Sequence, residues 1–303
     1  MKIVVFGAGA IGSLLGALLS KAHDVTLIGR RDHVNAIRKQ GLTITGNLSL
    51  NVRIDAQETA TPGLLPDLVL LTVKAYDTVQ AVGDLAPLMG PKTILLVAQN
   101  GLGNLEVAKQ RYPNHRVVAA SVTVGGAMDA PGRVSWNGPG ELIVGALPAD
   151  EATARLVVAA FAETGIAARA VADIRPALWR KALINAAINP LTALHRIENG
   201  PLLDDAALRK QLFAAGREAA AVMRAEGIPI TDEESEALLE TITKKTARNR
   251  SSMLQSVERG RPTEIDAITG KILQAARKHG IPCPVNDALF EGIKKIEATF
   301  ARA

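Results

Sequence analysis

The 303-residue sequence contains one cysteine, Cys283, so no disulfide can form within the chain. Cys283 stands between Pro282 and Pro284 with no second thiol or metal-ligand pattern beside it, which predicts a loop position rather than a nucleophile. Aromatic residues are scarce: two Trp, two Tyr and five Phe leave little to stack on bases. The charge balance of 35 basic against 30 acidic residues, +5, supplies no strong basic patch, so a nucleic-acid partner is excluded. No apolar run reaches the roughly 18 residues that a bilayer-crossing helix needs. The apolar opening Met1–Ala22 is broken by Gly7, Gly9, Gly12 and Gly16, so it does not read as a secretory signal. These absences predict a cytoplasmic protein without a membrane partner.

What is present fits a packed protein. Apolar residues make up 48% and charged residues 21%, too apolar a mixture for a disordered chain. The length exceeds one average domain. Lys2–Phe6 reads as a strand, Ala10–Lys21 as a helix and Asp24–Ile28 as a second strand, which is one βαβ unit. Asp67–Val73 and Thr93–Ala98 read as buried strands, followed by helical segments Asp77–Leu88 and Leu102–Arg111, and this alternation implies a parallel sheet. Short β runs at Val117–Val124, Arg133–Trp136 and Glu141–Val144 suggest an antiparallel addition. A helix at Asp150–Glu163 and a strand at Ile166–Val171 complete the sheet. Beyond Asp173 the pattern is helical and punctuated by Pro and Gly. The fold class is therefore α/β, a doubly wound sheet over residues 1–172, with an all-helical second domain over 173–303.

Gly7-Ala8-Gly9-Ala10-Ile11-Gly12 is a GxGxxG turn directly after a strand and before a helix. In that context the glycines permit the tight turn, the approach of backbone N–H groups to a pyrophosphate, and close helix–strand packing. The competing reading is a purely structural glycine turn. The second strand ends in Gly29-Arg30-Arg31 instead of the carboxylate that would favour NAD, and a guanidinium there can pair with a 2′-phosphate, so NADP is the expected cofactor. Asp32 can serve as a ribose ligand or as a helix N-cap, and its place at the expected helix start favours the cap. Lys74 and Asn100 follow apolar strands at the ligand-gathering edge. Each has an ordinary alternative, a solvated lysine and an Asn-Gly turn.

Lys181, Asn185 and Asn189 recur every four residues within an apolar stretch, so they share one helix face at intervals of about 6 Å. Burying a lysine and two amides without partners is costly, so this face points to a ligand or to a helix–helix hydrogen-bond seam. Pro190 predicts a kink or stop at Asn189. A further polar cluster covers Asn249–Gln255 and Arg259–Asp266. There Thr263 can cap a helix with Asp266 as its third residue, and Glu264 would meet the helix dipole.

Taken together, the GxGxxG turn, Lys74, Asn100-Gly101, the Lys181/Asn185/Asn189 helix, Ser251-Ser252-Met253-Leu254-Gln255 and Gly260–Asp266 make the chain resemble the ketopantoate reductase (2-dehydropantoate 2-reductase) family over essentially its whole length. The resemblance implies an N-terminal Rossmann-type domain with a helical C-terminal domain, and reduction of 2-dehydropantoate to (R)-pantoate with NADPH on the route to pantothenate and coenzyme A. It implies Lys181 as general acid. Asn185, Asn189, Asn199, Asn249 and Ser252 would orient the substrate's carboxylate and hydroxyl. Glu264 would touch ligand, counted with both the catalytic and the cofactor-binding residues, which displaces the capping-only reading. Gly126 would contact the cofactor through its backbone. No metal is needed. The implied partner is a small 2-oxo acid, and the helical domain offers a surface for a homodimer. Two alternatives stand beside this reading: a reductase of another 2-oxo acid, and an NADP-sensing protein without chemistry.

Overall fold

The computed structural model describes residues 1–138 and 140–300. They divide into two units, Met1–Ile174 and a second that begins at Arg175. In the first unit, strand β1 (Lys2–Phe6) leads through the glycine turn into helix α1 (Ala10–Leu19) and back to β2 (Asp24–Ile28), the βαβ unit expected from the alternation. Helix α2 (Arg31–Gln40) stops at Gly41, whose φ of 82° favours a residue without a side chain. Three short strands follow, β3 (Leu42–Gly46), β4 (Leu50–Val52) and β5 (Asp55–Gln57). The alternation then resumes with β6 (Leu68–Leu71), α3 (Thr78–Asp84), β7 (Ile94–Val97) and α4 (Asn104–Arg111). Strand β8 (Arg116–Val122), a hairpin of β9 (Gly125–Ala130) and β10 (Arg133–Gly138), β11 (Glu141–Ala146), α5 (Glu151–Ala160) and β12 (Ala167–Asp173) close the unit.

The main sheet has the order β12-β11-β8-β7-β6-β1-β2-β5. From β5 to β8 all neighbours are parallel, whereas β11 runs antiparallel to β8. Every residue of β6 and β7 is buried, as expected of strands covered on both faces. The chain leaves β1 for β2 on one side and returns to β6 on the other, so the topological switch lies at the carboxyl end of β1. Phe6 is in register with Ile28 and Leu71, and Leu71 with Val97, so the loops after these four strands emerge along one edge.

The first unit departs from the sequence pattern at two places. The β runs after Arg116 do not all extend the main sheet: β9 and β10 leave it and join β3 and β4 in a separate four-stranded sheet. Its β3–β10 pairing is parallel and links short strands far apart in sequence, so no local period announces it. The helix expected over Asp77–Leu88 ends at Asp84, and Ala86–Leu88 is a separate single turn. Pro87 has no N–H to continue the ladder.

The second unit contains α6 (Arg175–His195), α7 (Pro201–Asp204), α8 (Ala206–Ala225), α9 (Asp232–Lys245), α10 (Ser252–Glu258), α11 (Thr269–His279) and α12 (Pro284–Phe300), with no strand among its described residues. Caps set the helix starts: Asp205 accepts from the N–H groups of Ala207 and Leu208, and Thr231 with Glu234 forms a reciprocal capping box. One core cluster joins Ala193 of α6, Met253, Leu254 and Val257 of α10, Ile265, and Ile293 of α12. Pro190 does not stop α6, which continues to His195. The proline removes one intrahelical bond, while Ala186–Ala193 are all buried and hold the helix by packing. Thr263 does not start a helix either, since α11 begins at Thr269. No helix of the described residues is long and apolar enough to cross a membrane.

Candidate active site

The glycine turn sits at the topological switch. The N–H groups of Gly7 and Ala8 both donate to the Ile28 carbonyl, at 3.0 and 2.8 Å, and this folds the turn over the end of β2. Gly7 has φ of 112°, and a Cβ there would lie 2.5 Å from the Val73 nitrogen. A Cβ on Gly12 would lie 2.3 Å from the Gly7 carbonyl oxygen. The chain itself therefore requires these two glycines. Gly9 is different: the nearest atom to a Cβ there is the Gly7 oxygen at 3.9 Å. That open space lies at the start of α1, where Ala10, Ile11 and Gly12 have no backbone acceptor among the described residues and the first turn carries no acidic side chain. Free N–H groups at the positive end of a helix dipole, with room before them, fit a diphosphate.

Thr72, which no sequence motif marks, braces this turn by donating its hydroxyl to the Gly7 carbonyl at 2.8 Å. Its position directly after β6, two residues before Lys74, was the available signal. The loops carrying Lys74 and Asn100 are joined by a buried polar chain. Gln99 Nε2 donates to the Val73 carbonyl at 3.0 Å and to Thr78 Oγ1 at 2.7 Å. Thr78 Oγ1 donates to Asn104 Oδ1 at 2.9 Å, and Asn104 Nδ2 to the Asn100 carbonyl at 2.9 Å. Lys74 and Asn100 are both half-buried at the same sheet edge as the glycine turn.

Arg30 is exposed at the N-cap of α2, and Gly29 lets it approach the turn, because a Cβ on Gly29 would lie 2.8 Å from that of Ala8. Arg31 is tied to Glu58 at 3.1 Å. The N-cap expected at Asp32 is not formed: Arg30 holds the N-cap position, two residues earlier, and Asp32 lies in the first turn, where its charge meets the dipole. Gly126 lies on β9 against α1, with its α-carbon face towards Leu14 and Ile11. His33 is buried between them: its Nδ1 accepts from the Gly132 N–H at 2.9 Å and its Nε2 meets Ser13 Oγ at 2.9 Å, while burial pushes its pKa down.

In the helical unit Lys181 and Asn185 are half-buried on α6, and Asn189 is buried one turn further. Thr192 Oγ1 then donates to Ser251 Oγ at 2.7 Å, and Ser251 caps α10 through the Leu254 N–H. This places Ser252, whose side chain is exposed, in the first turn of α10. Glu264 is buried beside the core residue Ile265, so the shared cluster brings its segment to α6 and α10. Asn249 is exposed and serves Asn199 through its carbonyl, at 3.1 Å from the Asn199 nitrogen. Asn199 Nδ2 donates to Thr246 Oγ1 at 2.8 Å, and its buried Oδ1 has no donor among the described residues. Cys283 lies between α11 and α12, where burial and the charges of Glu218 and Asp287 push its thiol up to about 11, which suits an inert core residue.

The glycine turn at the topological switch marks the first unit as a Rossmann-type dinucleotide-binding fold, and the second, helical unit carries the line of Lys181, Asn185 and Asn189 on α6. Comparison with known proteins narrows this. The family model "Ketopantoate reductase PanE/ApbA" matches residues 3–149, and its C-terminal companion matches residues 173–297, so the chain belongs to the ketopantoate reductase family. The 2-dehydropantoate 2-reductase of Pyrococcus horikoshii is 36% identical over 300 residues, covering 98% of both chains, and that of Vibrio cholerae is 36% identical over 308 residues, covering all of both. The crystal structure of a PanE/ApbA family ketopantoate reductase from Ralstonia eutropha is 32% identical, with a TM-score of 0.90 over 99% of this chain and 100% of that one. D-Mandelate dehydrogenase, solved with NADH and anilino(oxo)acetate, is 25% identical with a TM-score of 0.94 over 99% of each chain.

Proposed function

We propose that the chain reduces 2-dehydropantoate to (R)-pantoate with NADPH, the step that feeds pantothenate and coenzyme A synthesis. The observation that carries the reading is the face of α6, where Lys181 is followed at four-residue steps by Asn185 and Asn189. A helix that only packed would not spend a lysine and two amides on one line of a largely apolar, largely buried segment. The full-length likeness to 2-dehydropantoate 2-reductases supports the choice of substrate.

The N–H groups at the start of α1 and the open side of Gly9 hold the diphosphate, with Ala8 and the Gly126 backbone beside them. Arg30 takes the 2′-phosphate, since it is exposed while Arg31 is engaged by Glu58. Lys74 supplies a positive charge to the same ligand, and Asn100 an amide. When bound, the nicotinamide supplies a hydride equivalent to the carbonyl carbon. Lys181 holds an ammonium at the carbonyl oxygen, stabilises the negative charge that develops there, and gives it a proton. Asn185, Asn189, Asn199, Asn249 and Ser252 orient the substrate's carboxylate and hydroxyl, and Glu264 accepts from the bound ligand.

The likeness to an NADH-bound D-mandelate dehydrogenase favours a second reading, a 2-oxo acid with a larger side chain. NADPH oxidation measured with 2-dehydropantoate and with a panel of other 2-oxo acids tests both. Fastest turnover with 2-dehydropantoate is expected. Weak turnover of it beside strong turnover of an aryl 2-oxo acid would replace the substrate, and no oxidation with any 2-oxo acid would remove the enzyme reading.

A further inference from the structure

The segment that carries Glu264 has no regular secondary structure of its own, yet it is gripped from α12. Glu297 Oε1 accepts two hydrogen bonds from one residue, the backbone N–H and the hydroxyl of Thr263, both at 2.7 Å. Thr263 Oγ1 in turn accepts from the Ile265 N–H at 3.2 Å. The other Glu297 oxygen faces Lys294 Nζ at 3.1 Å, and Lys294 reaches Asp266 at 2.8 Å. The Glu264 carbonyl accepts from the N–H groups of Ala267 and Ile268. The backbone on both sides of Glu264 is thus fixed, and the fixing group is an ionised carboxylate whose side chain is only 14% exposed. Helix α12 is itself anchored, because Glu218 accepts from the N–H groups of Val285 and Asn286 at its start.

The Lys294–Asp266 contact is exposed and contributes little by itself. The Glu297–Thr263 contact is different: charge-assisted bonds are shorter and stronger than neutral ones, and this carboxylate spends two of them on the residue next to Glu264. Core packing alone does not call for that, whereas a ligand-touching carboxylate does, because an error of about 1 Å in placement can cost about a hundredfold in rate.

We propose that Glu297 is a positioning residue for the reaction, acting through Thr263 to set the backbone from which the Glu264 carboxylate meets the ligand. The inference rests on the function proposed above. Glu297→Gln is a discriminating change: an amide must turn its NH2 either towards the two Thr263 donors or towards the Lys294 ammonium, so it cannot satisfy both.

The test measures kcat/KM for 2-dehydropantoate with NADPH in the wild-type chain, Glu297→Gln, Glu264→Gln and the double variant, with thermal melts as a check of folding. Glu297→Gln is expected to lose at least about tenfold in kcat/KM, and to add no further loss once Glu264 is already glutamine. No loss in Glu297→Gln, or the same loss in the Glu264→Gln background as in the wild type, overturns the proposal. Should Glu297→Gln fail to fold, Thr263→Val deletes the hydroxyl donor while keeping the side-chain shape. Its loss is expected to be masked by Glu264→Gln in the same way, and an unmasked loss overturns the proposal. A wild-type chain that oxidises NADPH with no 2-oxo acid overturns the function and the proposal together. An active wild type without the masking pattern overturns the role of Glu297 alone.

Discussion

The hydroxyl of Thr72 donates to the carbonyl of Gly7 at 2.8 Å, tying the end of β6 to the first glycine of the turn before α1. Neither residue needs to touch a substrate for the bond to matter, since it fixes the turn proposed to hold the cofactor. Thr72→Val keeps the side-chain shape and deletes the donor. The NADPH Kd is expected to rise about fivefold, the equivalent of about 1 kcal/mol for one hydrogen bond. Titration of the cofactor checks it, and an unchanged Kd contradicts the bracing role.

Two glycines of the same turn are expected to respond differently. Gly12→Ala places a methyl 2.3 Å from the Gly7 oxygen and 2.5 Å from Thr72 Oγ1, so it should cost about 1–3 kcal/mol of stability as well as cofactor affinity. Gly9→Ala meets nothing closer than 3.9 Å within the chain, so its melting temperature should stay at the wild-type value while the NADPH Kd rises at least about tenfold. Thermal melts and cofactor titrations of the two variants separate the effects. A Gly9→Ala chain that binds NADPH normally would mean the open space is not the diphosphate site.

Arg30 is exposed and unengaged among the described residues, while Arg31 is paired with Glu58. Arg30→Glu reverses the charge offered to a 2′-phosphate, so KM for NADPH should rise far more than KM for NADH. Steady-state kinetics with both cofactors measure the ratio, and an equal effect on both removes Arg30 from cofactor selection.

His33 joins α2, α1 and the turn between β9 and β10, and its Nδ1 must stay unprotonated to accept from the Gly132 N–H. Burial lowers its pKa below the ordinary 6.5. Above 6.5 the folded and unfolded imidazoles are both neutral and contribute no pH dependence. As pH falls below that value the unfolded chain takes up a proton that the folded chain refuses, so stability declines with a slope of up to about 1.4 kcal/mol per pH unit, until the folded group titrates. Melts from about pH 7.5 to about pH 5.5 should show a steeper decline in the wild type than in His33→Gln. Equal slopes contradict the assignment.

What could be read from the sequence was local. The βαβ opening and GxGxxG depend on residues within one turn of each other, and the stripe on α6 depends only on the helical repeat. The small second sheet escaped because Thr43 pairs with Arg133 across most of a domain and its strands are only three to six residues long. The cap predicted at Thr263 fails for the same reason. Its side chain has the right chemistry for a cap, but its partner is Glu297 on α12, a contact no neighbouring residue announces. Pro190 predicts a kink or a stop, and the helix does not stop there because the burial around it overrides the lost hydrogen bond. Thr72 carries no motif, and Gln99 stands beside Asn100 after an apolar strand without announcing its bonds, so both roles become visible only when the loops after β1, β6 and β7 are seen together.

The general-acid role of Lys181 is the claim on which the mechanism turns. Single-turnover reduction of 2-dehydropantoate by enzyme saturated with NADPH, compared between wild type and Lys181→Ala, tests it most directly. The account predicts a fall of at least about a hundredfold in the rate with NADPH Kd unchanged, and a Lys181→Ala rate equal to that of the wild type would contradict it.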